Sequence, residues 1–266
     1  MSGVMFRQAF RDQRRTMLWF AFGAAVYVLA IIAFYPSIRD STEQFEELLD
    51  AYPDAIKEAF GIDDFSTFAG FVGAEALNVI WPLVAAGFAI VVGSAAVAGE
   101  IERGSVDLWL SVPVARWRLL LAKIVAALIG LLVIVMTTVG AIAVGATAID
   151  EWPGVGPLAA VLVTLPGIVV TVLGYAVLLS AAIGRRSVAA GLAAGITLLS
   201  YLFWIIANMS QDFNWLRYLS IFSAYDAQAA LADATVHWTG LIVLALVGVV
   251  CMVAALVIFE RRDALA

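Results

Sequence analysis

The residues able to do chemistry are few, and they crowd into one stretch. Between two long apolar runs stand Glu100, Glu102, Arg103, Gly104, Ser105, Asp107, Leu108, Trp109, Pro113 and Arg116. The single histidine, His237, and the single cysteine, Cys251, lie far from it along the chain. There is no P-loop, no pair of His-Glu clusters and no Ser/His/Asp arrangement to make or break bonds. The chemistry on offer is recognition, by charged side chains flanking apolar ones. Gly104 breaks the preceding structure, Ser105 suits a helix cap, and Asp107 in the first turn complements the helix dipole. Pro113 stops that helix, so two turns are predicted over 105–112. They expose Leu108, Trp109 and Val112 beside charged ends. A short ordered helix of this kind suits insertion into a partner's groove. An interfacial turn that buries Trp109 among lipid headgroups fits the same residues equally well.

The elements that hold this stretch follow from composition. The chain has 266 residues, 64% of them apolar and 14% charged, with a mean hydropathy of +1.00. A soluble domain carries about a quarter charged residues. Here the charges are bunched, and the uncharged apolar runs between them are long enough to cross a bilayer. Cutting at the charges predicts an all-α integral membrane protein, a single transmembrane domain over 1–266. Its six spans lie at about 17–35, 76–98, 124–148, 158–183, 188–209 and 238–259. The first is too long for the apolar region of a cleaved signal peptide.

Orientation follows from Lys and Arg. With both termini inside, twelve of the fifteen basic residues face the cytoplasm; only Arg39, Lys57 and Arg217 fall outside. Of the 21 acidic residues, fifteen lie outside. Every inner segment contributes basic residues and the inner side as a whole carries a basic excess, as the positive-inside rule requires. No charge is expected near mid-bilayer, where ion-coupled carriers keep their carboxylate or histidine relays, so a gradient-driven carrier is disfavoured. Cys251 lies within the last span and has no disulfide partner. No metal site is expected.

At the inner surface, Val4, Met5, Phe6 and Phe10 alternate with Arg7, Arg11, Arg14 and Arg15. This spacing predicts an interfacial helix over 1–16. At the outer surface, 36–75 is long and acidic. Ser41 and Gln44 form a capping box ahead of an apolar face of Phe45, Leu48, Leu49 and Tyr52. Pro53 suits the start of a second short helix and Gly61 its end, so an external helical lid is expected.

Within the spans, Gly167, Gly174 and the pair Gly191 and Gly195 allow close helix packing. Thr137, Thr138, Thr171 and Ser200 can bond back to their own helices. Tyr201, Trp204 and Asn208 recur at helical spacing. They either line a translocation path or form a lipid-facing girdle.

The run Glu100-x-Glu102-Arg103-Gly104-Ser105-x-Asp107-Leu108-x-Leu110-Ser111-x-Pro113-Val114-x-Arg116-x-x-Leu119-Leu120-x-x-Lys123 resembles the first inner loop of type-2 ABC exporter permeases. Ser105, Ala115 and Trp109 depart from the usual residues without altering the charge pattern. The segment 215–225 resembles the outer helices before the last span of that family, with Ile221 in place of the usual proline. The resemblance implies that 105–112 is a coupling helix docked on a separate ATPase subunit. Glu100, Glu102, Arg103 and Asp107 would then supply polar contacts, and Leu108 and Trp109 apolar anchors, with Gly104, Ser105, Pro113 and Arg116 framing the helix. It implies a permease that is not itself an enzyme, and efflux of a hydrophobic or amphipathic substrate through a prokaryotic plasma membrane. ATP and Mg would reside on the partner subunit and no cofactor on this chain, two permeases pairing with two ATPases. A membrane sensor or scaffold that docks an ATPase and transports nothing is the alternative.

Overall fold

The computed structural model describes residues 2–39, 67–104, 115–209 and 211–261, and among them every regular element is a helix. The expected lid helices between Ser41 and Gly61 lie outside the described residues, as do Ser105, Asp107, Leu108, Trp109 and Pro113. The chain forms α1 (Ser2–Arg39), then α2 (Phe68–Val72), a π-helix (Gly73–Ile80) and α3 (Trp81–Ala95), which together make the second span. A short α4 (Ala98–Glu102) leads to the charged stretch. Then follow α5 (Arg116–Ala148), α6 (Val155–Ile183), α7 (Arg186–Met209), two 3-10 helices (Gln211–Leu219 and Ile221–Ala224), α8 (Ala227–Asp233) and α9 (Trp238–Arg261). Among the described residues, six helices are long and apolar enough to cross a membrane. This is an all-helical, multi-pass membrane protein.

Several boundaries differ from the sequence reading. Residues 2–16, expected as a separate interfacial helix, run without interruption into the first span. No proline falls between Gly3 and Tyr35, and the lone interior glycine, Gly23, costs about 1 kcal/mol, too little to end a helix of this length. At 1.5 Å per residue, α1 is about 57 Å long and projects beyond a hydrocarbon core of ~30 Å. The second span begins at Phe68 rather than 76. Thr67 caps it by accepting from the Gly70 N–H at 3.1 Å, and Phe68 and Phe71 pack on Tyr35. Glu75, which marked the expected outer boundary, stays exposed on the π-helix. The third span likewise starts earlier, at Arg116, because Arg116, Arg118 and Lys123 occupy its projecting turns.

The core is built around α6, the most buried span, which packs against α3, α5, α7, α8 and α9. Its glycines set the distances. A Cβ on Gly174 would stand 2.5 Å from the Gly248 carbonyl oxygen on α9, and one on Gly167 2.6 Å from Leu241. Gly191 and Gly195 on α7 meet nothing within 4 Å, so that pair closes no helix contact among the described residues. Apolar side chains such as Leu18, Trp19 and Phe22 on α1 and Leu246, Val250 and Val253 on α9 face outward. Lipid is as apolar as these residues, so their exposure carries no penalty there.

Hydroxyls and phenols stitch the spans. Thr137 and Thr138 bond back to Val133 and Ile134 as expected, but Thr138 also accepts from the Trp81 indole at 2.8 Å. Thr171 bonds back to Gly167 and also donates to the Leu244 carbonyl at 2.7 Å. Ser200 does not bond back: its Oγ accepts from the Ile221 N–H at 2.9 Å, while Ser220 donates to the Ser200 carbonyl at 2.7 Å. This exchange turns the chain between the two 3-10 helices, where Ser220 is extended and caps the second. The turn thus forms with Ile221 in the place of the proline. The π-helix is held by the buried Tyr225, whose OH donates to the Leu77 carbonyl at 2.9 Å. Burial, and then neighbouring Asp226, push this phenol well above its usual range, so it stays a donor.

Candidate functional site

The charged stretch is held from both sides. α3 ends at Ala95 and the chain turns through Ala96 and Val97 into α4, a helix of only five residues. Glu100 and Glu102 both lie on it. At 100° per residue, positions two apart point to nearly opposite sides, so one carboxylate cannot share its partner with the other. Glu100 accepts from the Lys123 ammonium on α5 at 2.7 Å and from Arg103 at 2.7 Å. Glu102 reaches the other way and accepts from the Arg186 backbone N–H, at the start of α7, at 2.8 Å. A carboxylate there satisfies an orphan helix donor and complements the positive end of the helix.

The Glu100–Lys123 pair is the most enclosed ionic contact among the described residues, with side chains 17% and 12% exposed. Lys123 also donates to the Ala96 carbonyl at 2.9 Å, and its own carbonyl accepts from the Gln13 amide at 3.2 Å. One lysine therefore ties α1, the end of the second span and the start of α5. Arg103 folds back, its Nε donating to the Gly99 carbonyl at 2.9 Å. Gly104 then takes φ +66°, a left-handed conformation that only glycine adopts without cost. It sends the chain out at the point where the described residues stop.

Residues 105–114 lie outside the description, but both of their anchors are fixed. The chain resumes at Ala115, and Arg116 opens α5. The Trp117 N–H donates to Glu260 near the end of α9 at 3.0 Å. A cavity of about 210 Å³ opens beside the network, lined by Asp12, Gln13, Glu100, Arg103, Lys123 and Arg186 among others. Five of the ten residues expected to serve coupling, namely Glu100, Glu102, Arg103, Gly104 and Arg116, thus frame the segment that carries the other five. No group of His, Cys, Asp and Glu able to hold a metal occurs among the described residues.

Tyr201, Trp204 and Asn208 are placed differently. The Tyr201 and Trp204 rings stack at 5.8 Å, and Tyr201 meets Phe222 edge-on at 5.1 Å. Asn208 accepts from Arg217 at 2.9 Å. All three are half-buried, and Tyr201 and Asn208 contact the 3-10 helices that follow α7. Sequence reasoning missed three participants in the charged site. Lys123 belongs to the quoted motif, and its place as a lone ammonium at the head of an apolar helix was the available signal. The backbone of Arg186 and the hydroxyl of Ser180, which meets α4 from α6, gave none.

Residues 4–264 match the family model described as ABC-2 family transporter protein. No curated protein matches the chain.

Proposed function

Since the chain belongs to the ABC-2 family of transporter proteins, a family of membrane transport components, we propose that it is the permease subunit of an ATP-driven exporter. Its energy comes from a separate nucleotide-binding subunit that carries ATP and Mg. The observation that carries this reading is the clamp of Glu100 on Lys123 and Glu102 on the start of α7. These contacts fasten one end of the 105–114 segment to the third and fifth spans. A push on that segment is therefore delivered to the spans rather than absorbed by a loop. Loops that ride on rigid elements transmit displacement because packed interiors do not deform continuously.

With both termini in the cytoplasm of a prokaryotic cell, the segment faces the ATPase. Two permeases and two ATPases form the minimal assembly, with Leu108 and Trp109 seated in the ATPase groove and Asp107 at its rim. Closure of the ATPase dimer on ATP drives the segments together, switching access for a hydrophobic or amphipathic substrate.

The test is cross-linking. Trp109→Cys in a Cys251→Ala background is combined with single cysteines around the groove of a co-expressed nucleotide-binding subunit. Cross-linking that depends on assembly and weakens transport is expected. ATP-driven transport that continues with residue 109 unprotected throughout would sink the docking.

A further inference from the structure

The interruption between α3 and α4 falls at a locally weak point, the Gly93-Ser94 pair with Gly99 beyond it. But three alanines in Ser94-Ala95-Ala96-Val97-Ala98 favour helix, and the groups that open the ladder come from another span. In a continuous helix the Ala98 N–H would bond the Ser94 carbonyl. Instead the Ala98 N–H donates to Ser180 Oγ at 3.0 Å, and that hydroxyl donates onward to the Ser94 carbonyl at 2.7 Å. The same oxygen accepts from the Val97 N–H at 3.1 Å. Ser180 comes from the last turn of α6 and is fully buried. Insertion of a side chain into the hydrogen-bond ladder is a recognised cause of a helix break. The next open carbonyl, that of Ala96, is taken by Lys123. Just before the break, α3 is pinned to α6, since a Cβ on Gly93 would stand 2.7 Å from Ala176 Cβ. Displacement is thus confined to the part beyond Ser94.

We propose that Ser180 is a positioning residue for coupling, a hydroxyl pin that divides the second span into a fixed rod and a movable foot. The proposal rests on the reading of function above. Its physical basis is that a second arrangement satisfies the same groups. With the pin withdrawn, the Ala98 N–H returns to the Ser94 carbonyl, and the hydroxyl turns to the Ala176 carbonyl on its own helix, as buried serines do. The Val97 N–H then returns to the Gly93 carbonyl, so the backbone groups now held by the hydroxyl are paired in both forms and neither carries the large penalty of an unmade buried hydrogen bond. The 98–104 foot bears Glu100 and Glu102, so a change at the pin redirects both clamps together.

The test uses the full chain in lipid nanodiscs, with Cys251→Ala and spin labels at Ile101→Cys and Val144→Cys, both exposed positions. Ser180→Ala removes the pin and is expected to shift the 101–144 distance. Ser180→Thr keeps the hydroxyl and is expected to hold the original distance. In proteoliposomes with the ATPase, Ser180→Ala should retain ATP hydrolysis but lose transport per ATP by about tenfold or more, the scale of a typical coupling energy. Ser180→Thr should restore it, which a purely structural defect would not predict. If Ser180→Ala cannot be recovered from the membrane, Ser180→Gly removes the same hydroxyl. The distance is measured on the permease alone, so an unchanged value in Ser180→Ala overturns the pin whatever the transport assay gives. A shifted distance with undiminished transport per ATP overturns its coupling role. A shifted distance together with wild-type transport that needs no ATPase overturns the functional reading instead.

Discussion

The ammonium of Lys123 lies 2.7 Å from Glu100 Oε1 and 2.9 Å from the Ala96 carbonyl oxygen, so one side chain on the third span closes the end of the second. Removing one member of an enclosed ion pair strands the other charge, at a cost of ~3 kcal/mol or more. Glu100→Ala is therefore expected to lower the unfolding temperature in nanodiscs and to abolish transport. The double variant Glu100→Met with Lys123→Met should regain most of the stability, because an apolar replacement of a buried pair is close to neutral. Transport should stay lost. A double variant no more stable than Glu100→Ala would contradict this account of the pair.

Glu102 acts on another helix. Glu102→Ala removes the carboxylate from the start of α7, costing about 1 kcal/mol in the manner of a lost cap. Membrane insertion should be normal and ATP-driven export absent. Gly104→Pro should do the same for a different reason, since proline fixes φ near −65° and the native value is +66°. Undiminished export in either variant would refute the clamp.

The glycines separate into two kinds. Gly174→Ala and Gly248→Ala each place a methyl group within 2.5–2.7 Å of a facing carbonyl oxygen, so both should force α6 and α9 apart and lower stability markedly. Gly191→Ala and Gly195→Ala meet nothing within 4 Å among the described residues and should keep stability or raise it, by up to about 1 kcal/mol each from helix propensity. Thermal unfolding of the four variants decides the matter, and equal losses at all four would be inconsistent with this packing.

Ser200 and Ser220 hold the turn between the 3-10 helices through adjacent bonds, Ser220 donating to the Ser200 carbonyl and the Ile221 N–H donating to the Ser200 hydroxyl. Ser200→Ala and Ser220→Ala should each destabilise by roughly 0.5–1.5 kcal/mol, on the scale of single hydrogen bonds. The double variant should lose less than the sum, as neighbours in one network do. Strict additivity in a double-mutant cycle would mean that the two act separately.

Much of this molecule is legible in order of residue type. Helix boundaries were misplaced only where charge was taken as a stop signal: Glu75 sits exposed on its helix, and Arg116, Arg118 and Lys123 ride on turns that project past the bilayer. The charged stretch from Glu100 to Arg116 stands out in the sequence, yet its geometry does not. That Glu100 and Glu102 grip different spans follows from helical spacing only once α5 and α7 are known to flank α4. Ser200 was expected to satisfy itself locally and instead bridges to Ile221, because the 3-10 turn brings an open N–H within its reach.

Composition and spacing were enough to locate the six helices able to cross a membrane among the described residues and to sort the charges between their ends. Water and hydrocarbon are such different solvents that composition alone sorts residues between them. How the second span breaks was decided by the tertiary structure. The Gly93-Ser94 pair weakens the helix there, but the hydroxyl that opens its ladder arrives from a residue more than eighty positions away.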